Sequence, residues 1–290
     1  MKNYIELINK NLDKFLEIKY PPEIFEAMKY TVMLPGKRLR PVFCLESCRL
    51  AGGDITNAIP TACAIEMLHA QSLIHDDLPC MDNDDFRRGK PSNHKVFGEA
   101  NAVLAGDALI SFAPQIIIEN TKNVSNEAIL KVLHEYFIAA GCFGIIAGQV
   151  ADIKAEKFNY KTFDNPENEL NFIHKNKTAA LFKLALKSGA ILGNAGDKFL
   201  CDILDFADSY GMAFQIYDDI IDEISTFNSL GKTTGKDKEE GKLTFVTLYG
   251  LNDAKCKLNC QIKRARDIIG KYNSEIFNSA IDKLEEGIKH

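Results

Sequence analysis

The sequence predicts an all-α protein, a single-domain bundle of long helices over residues 1–290. Three observations carry that expectation. Apolar residues recur at helical spacing along most of the chain. No stretch alternates as a strand would, and no Rossmann-type glycine fingerprint appears. Proline and glycine fall at intervals that cut the chain into helix-length pieces.

Taken in order, Ile5, Ile8, Leu12 and Phe15 mark one face of an opening helix, and Pro21-Pro22 stops it. Pro22–Met33 is the second helix. Pro35-Gly36 breaks the chain, and Lys37-Arg38-Leu39-Arg40-Pro41 leads into an apolar helix over Val42–Ala51. Gly52-Gly53-Asp54 forms a turn, and a long helix runs from Asn57 to Asp77. Asn101–Asn120 is another, with Asp107 inside it. Ser125 can cap a long apolar helix that reaches Asp152. Asn165-Pro166 opens the next, with Asn as cap and Pro at the first position. Lys177-Thr178 enters an apolar helix, and Leu200–Glu223 follows. Ser225–Leu243 turns polar and Gly/Lys-rich and is expected to be a mobile flap. Asn252–Tyr272 and a helix built on Ile276, Ala280, Leu284 and Ile288 finish the chain.

Hydrophobic content of 46% is ample for a core, and the 35 basic and 40 acidic residues argue against general nucleic-acid binding. The eight cysteines sit mostly in apolar helical contexts, with no paired histidine to support zinc. They are expected to be buried thiols of a cytoplasmic protein. The N-terminus lacks an apolar signal core, and the most apolar run, Tyr136–Ala147, is too short to span a bilayer. A soluble protein without membrane insertion is expected.

The chemistry centres on Ile74–His94, IHDDLPCMDNDDFRRGKPSNH. Asp76, Asp77, Asp82, Asp84 and Asp85 lie within ten residues, followed by Arg87 and Arg88. Carboxylates this close repel unless cations sit among them. Oxygen ligands without His or Cys suit Mg²⁺, with Mn²⁺ possible, and paired arginines suit phosphate. An isolated acidic turn would be read as a solvated loop, but FQIYDDIID supplies a second set, Asp218, Asp219 and Asp222, on an otherwise apolar helix. Asp218 and Asp222 lie about 40° apart on one face, whereas Asp76 and Asp82 are about 240° apart and cannot share a helix face. Pro79 disfavours helix at Leu78. Asp76 and Asp77 are therefore expected to end a helix, with the chain curling so that Asp82 returns.

These motifs resemble those of the trans-prenyl diphosphate synthases. DDLPCMD resembles the family's first aspartate-rich motif, RRGKPSNH continues the match, and DDIID resembles the second; the likeness runs from PGKRLRP at Pro35 to GKLTFV at Gly241. The resemblance implies the isoprenoid synthase fold, a bundle around a deep central cavity, commonly as a homodimer with Asn101–Asn120 near the interface. It implies Mg²⁺ held by Asp76, Asp77, Asp82, Asp218, Asp219 and Asp222, with Asp219 acting through water. Lys37, Arg40, His69 and Arg88 would hold isopentenyl diphosphate. Arg87, Lys177, Lys232 and Lys242 would hold the allylic diphosphate. Thr178 and Gln215 would face the developing cation, so that Lys177, Thr178, Gln215 and Lys232 form the catalytic set. Gln149 and Asp152 would support the metal site. Two departures stand out: Pro35 replaces the usual first glycine of the clamp motif, and Val246 stands where the family often has proline, which is expected to leave that helix start less rigid.

The implied reaction is head-to-tail condensation of isopentenyl diphosphate with allylic diphosphates by ionisation, condensation and elimination. The resemblance assigns product length to residues five and four before the first aspartate, Gln71 and Ser72. Ser72 blocks little; a tied-down Gln71 can act as a floor, since its amide must be hydrogen-bonded if buried. That reading favours (2E,6E)-farnesyl diphosphate, with geranylgeranyl diphosphate the alternative. A terpene cyclase would not need the second diphosphate clamp. A non-catalytic subunit of a heterodimer would typically lose an aspartate motif.

Overall fold

The computed structural model describes residues 1–157, 163–224 and 243–288. Among them helix dominates, as the period-3.6 pattern demands. The chain divides into two compact units.

The first unit holds Met1–Phe137 and Lys187–Ala195. Its helices are α1 (Lys2–Phe15), α2 (Pro22–Val32), α3 (Leu39–Leu50), α4 (Ile59–Asp76), α5 (Asn93–Phe97), α6 (Glu99–Asn120) and most of α7 (Asn126–Ala140). α4 is the core element. Pro60 through Leu68 is buried without a break, which suits a helix apolar on all sides. Burial of Ile65, Met67 and Leu68 contributes about 1.5–3 kcal/mol each. The largest interface of α4 is with α6. Gly106 permits it: a methyl there would collide with the His75 ring.

Asp54 caps the short turn Ile55–Asn57 through the Thr56 amide. No strand was expected, yet Phe86–Arg87 (β1) and Lys90–Pro91 (β2) pair antiparallel. Arg88 and Gly89 link them, both at positive φ (52° and 75°), the signature of a type I′ turn.

The second unit holds Ile138–Leu186 and Gly196–His290. Its described helices include α8 (Ile145–Lys157), α9 (Pro166–Ile173), α10 (Ala180–Leu192, whose last residues belong to the first unit), α11 (Asp197–Ile224), α12 (Phe245–Tyr249), α13 (Leu251–Ile269) and α14 (Glu275–Glu286). α11 packs along α13, and Phe182, Tyr210, Phe206 and Phe277 pack edge to face and tilted through this core. The Asn165 side chain accepts the Asn168 amide, as the Asn-Pro start predicts.

Three expectations are corrected. The apolar helix from Ser125 to Asp152 is two helices, because a turn at Gly141–Gly144 interrupts it; the Ser125 cap is present, accepting from the Ala128 amide at 3.1 Å. Lys177-Thr178 does not begin an α-helix but lies in a π-helical turn, His174–Ala179. Only Cys44, Cys48 and Cys63 are buried; the other five cysteines are exposed, Cys256 and Cys260 on the outer face of amphipathic α13. By length and composition alone, Glu99–Asn120 and 126–156 are apolar enough to cross a membrane, although the second is interrupted by the Gly141–Gly144 turn.

Candidate active site

The first acid motif folds much as its spacing requires. α4 ends at Asp76, Asp77 is its C-cap, and the Asp82 amide donates to the Asp76 carbonyl at 2.9 Å. The chain therefore does curl back after Pro79. Asp76 and Asp82 are half-buried, but Asp77 is only 1% exposed.

Arg87 explains that burial. Its Nε donates to Asp77 Oδ1 at 2.8 Å, its Nη2 also bonds Asp77, and Nη2 reaches Asp84 Oδ2 at 3.2 Å. Burial pushes the Asp77 carboxyl above its usual range, against the pull of Arg87. Arg87 thus serves the motif itself in this structure, and Asp84, which the sequence reading left without a role, is its second acceptor.

Arg88, next in sequence, is directed elsewhere by the I′ turn. Its Nη2 lies 3.4 Å from His69 Nε2. His69 is held well below its ordinary pKa, first by burial, then by Arg40, Arg88, Arg38 and Arg87. A neutral ring leaves Nε2 able to accept from Arg88. Gly36 makes room for this arginine, since a Cβ there would sit 2.6 Å from Arg88 Nη1. Lys37 is exposed and Arg40 half-buried in the first turn of α3. Arg40 and Arg88 thus converge on a neutral His69, with exposed Lys37 three residues before Arg40 in sequence, and an oxyanion there would offset the charge of the two arginines.

Of the product-length pair, Ser72 donates back to the His69 carbonyl at 2.9 Å. Gln71 is buried, 6% exposed. Its Nε2 lies 3.1 Å from His75 Nδ1, and His75 Nε2 lies 3.1 Å from the Val103 carbonyl. The Gln71 oxygen has no partner, so the expected full bonding of the amide is only half met.

The second motif repeats the division. Asp218 is exposed and Asp222 half-buried, while Asp219 is 5% exposed. Asp219 Oδ1 accepts from Gln215 Nε2 at 2.8 Å, and Oδ2 accepts the Phe245 amide at 2.8 Å. Gln215 Oε1 in turn accepts from Thr178 Oγ1 at 2.6 Å. His174, which the sequence reading passed over, stacks on Phe245 with ring centroids 5.2 Å apart. The start of α12 is also held by a Thr244–Thr247 capping box. Val246 therefore does not leave that helix start loose.

Lys177 pairs with Asp152 of α8. The GQVAD sequence makes this possible: a methyl at Gly148 would collide with the Lys177 backbone, and Asp152 lies one turn further on. Gln149 is half-buried beside them in sequence. Asp152 thus orients the lysine. Lys232 and Lys242, with the predicted flap, lie outside the described residues.

The four outer carboxylates present only oxygen donors, the set that suits Mg²⁺. No group of three or more His, Cys, Asp or Glu is gathered for a metal among the described residues. Mg²⁺ commonly takes one or two carboxylates with phosphate oxygens and water, so the outer residues fit it. Asp77 and Asp219 fit it less well, because both are buried against protein donors.

Arginines converging on His69 and two acid motifs on an all-α frame are the pattern of an enzyme that handles anionic, phosphate-bearing substrates. The Polyprenyl synthetase family profile matches residues 21–284, and the chain belongs to that family. It is 43% identical over 270 residues to a dimethylallyltranstransferase of Fischerella ambigua, covering 93% of this chain and 77% of that one. It is 42% identical over 271 residues to a geranylgeranyl diphosphate synthase of Cyanophora paradoxa, covering 93% and 87%. The crystal structure of an FPP/GFPP synthase from Zymomonas mobilis superposes with a TM-score of 0.83 at 33% identity, over 98% of this chain and 94% of that one. The protein is a prenyltransferase with the all-α isoprenoid synthase fold.

Proposed function

We propose that the protein condenses isopentenyl diphosphate head to tail with allylic diphosphates and carries the product to geranylgeranyl diphosphate through farnesyl diphosphate. The observation that carries the condensation is the convergence of Arg40 and Arg88 on His69, with Lys37 exposed three residues before Arg40. These residues provide a diphosphate site composed of donors, separate in residue composition from the acid motifs. A terpene cyclase has no use for it. Retention of both acid motifs argues against a non-catalytic subunit.

In this reading Lys37, Arg40 and Arg88 bind isopentenyl diphosphate, with His69 supporting Arg88. Lys177, oriented by Asp152, and Arg87 face the allylic diphosphate with Lys232 and Lys242. Asp76, Asp82, Asp218 and Asp222 would hold Mg²⁺ (or Mn²⁺), which when bound offsets the diphosphate charge. Asp77 and Asp219 steady Arg87 and Gln215. The oxygens of Thr178 and Gln215 stabilise the allylic cation by their dipoles. The double bond of isopentenyl diphosphate attacks C1 of that cation, and the departing diphosphate takes the proton.

The longer product is supported by Gln71. It is a slim amide tied to His75, not a ring that would halt a growing chain, and the geranylgeranyl synthase relative points the same way. Farnesyl diphosphate is the second reading, favoured if that tie makes Gln71 an effective floor. The two units act as one catalytic domain, in a cytoplasmic homodimer without membrane insertion; exposed apolar residues such as Phe143 and Val150, 79% and 62% exposed, support a covered face. Incubation with dimethylallyl and isopentenyl diphosphates, followed by product chromatography, tests the proposal. No elongation overturns the condensation; a product that stops at C15 selects the second reading. Gln71→Tyr should shorten the product and Gln71→Ala lengthen it.

A further inference from the structure

We infer that Arg38 is a positioning residue: with its buried partner Glu66 it sets the geometry of the isopentenyl diphosphate clamp without touching the ligand. The inference rests on the clamp reading above. Three cations follow one another closely in Lys37-Arg38-Leu39-Arg40, yet the middle one turns inward. Arg38 is 4% exposed and Glu66 2%. Arg38 Nη1 bonds Glu66 Oε1 at 2.5 Å, Nε donates to Asn9 Oδ1 at 3.0 Å, and Nη2 donates to the carbonyls of Val32 and Leu34 at 2.8 and 3.1 Å. One guanidinium thus joins α1, the end of α2, and α4.

The backbone records the consequence. Arg38 has φ of 49°, in the left-handed region that an L residue adopts at a cost. It is the N-cap of α3, and the Val42 amide bonds its carbonyl at 3.1 Å. Anchoring the side chain fixes this strained residue, and so fixes where Lys37 departs and where Arg40 projects. Glu66 also faces Arg88 electrostatically, offsetting part of the repulsion from Arg38 and Arg87. Of the four arginines that act on His69, Glu66 thereby holds Arg38 and offsets the charge of Arg88 before any ligand arrives. Asn9 draws the first helix, which lies far from both acid motifs in sequence, into the same device.

Charge and position predict opposite signs, which makes the inference testable. Glu66→Gln adds one net positive charge beside an anion site. If charge were the contribution, diphosphate would bind more tightly. If position is the contribution, binding weakens. The measurement is calorimetric titration of the full chain with isopentenyl diphosphate in EDTA, with far-UV circular dichroism of each variant. Glu66→Gln and Arg38→Lys should each raise Kd by about tenfold or more, and Asn9→Ala by a few-fold, with KM for the allylic substrate in Mg²⁺ little changed. An equal or tighter Kd for folded Glu66→Gln overturns the inference and leaves the clamp standing. Should that variant not fold, Asn9→Ala decides: an unchanged Kd overturns the inference. A wild-type protein that binds no isopentenyl diphosphate in EDTA overturns the clamp reading itself, and with it the inference.

Discussion

Asp219 looks like one of three metal-ligating carboxylates in sequence, but its bonds predict a measurable role without any metal. Replacement by Ala strands the buried Phe245 amide and the Gln215 Nε2 group, both bonded at 2.8 Å. An unmet buried donor costs about 1–3 kcal/mol, so the two sum to roughly 2–6 kcal/mol. Removing a carboxylate that is only 5% exposed returns part of this. The net expectation is about 2–4 kcal/mol. Asp219→Asn keeps one acceptor and introduces one donor, which faces either the amide or Gln215. It should cost about half as much, roughly 1–2 kcal/mol. Urea unfolding in EDTA measures both without a metal contribution, and amide exchange at Phe245 should quicken in the same order, Ala beyond Asn beyond wild type. If Ala lies within about 0.5 kcal/mol of wild type, or if Asn and Ala coincide, the bonds do not hold α12 and the reasoning fails.

Other outcomes follow from the first unit. Asp77→Ala leaves Arg87 to Asp84 and the charge of Asp76 and should destabilise by about 2–3 kcal/mol, below the 3–5 expected of a wholly buried pair, because Arg87 keeps 14% side-chain exposure; urea midpoints check it. Gly106→Ala drives a methyl into the His75 ring and should cost about 1–3 kcal/mol while broadening the product range through Gln71, read by thermal melts and chromatography. His69 contributes a pH dependence of its own. Its folded pKa is depressed below 6.5, so the unfolded chain takes up the proton first and stability is lost as pH falls below about 6.5. His69→Gln should lose less stability between pH 7 and 5 than wild type; parallel curves would refute the assignment.

Much of this was legible in sequence because it depends on local spacing. The return of Asp82 follows from Pro79 and six residues of separation. The Asn165 and Ser125 caps follow from side-chain chemistry. What could not be read depends on partners distant in sequence. Nothing near Arg38 indicates that Glu66, 28 residues away, will draw it inward while Lys37 stays out. The π turn at His174–Ala179 carries no period of its own; its nearest signal was the polar KNKT interrupting an apolar run. The break at Gly141–Gly144 had a visible cause, two glycines, but the apolar pattern continued through it. Exposure of Cys256 and Cys260 was readable too, since at steps of four residues they share a helix face with Asn252 and Arg264.

The two acid motifs share one logic. In each, the second aspartate of the leading pair is buried and bonded to protein donors, while the first and last keep solvent-facing surface. Adjacent residues on a helix point about 100° apart, so a doubled aspartate cannot aim both carboxylates at one ligand. The inward one must find donors or leave a charge unmet in the interior. Asp77 finds Arg87, and Asp219 finds Gln215 and the Phe245 amide. Each of these donors borders a further fixed element: Arg87 beside the first motif, Gln215 against Thr178, Phe245 at the head of α12. The second aspartate therefore converts the fixed position of the motif into fixed positions for its neighbours. This gives the doubled aspartate a structural reason at both places, whatever the outward carboxylates bind.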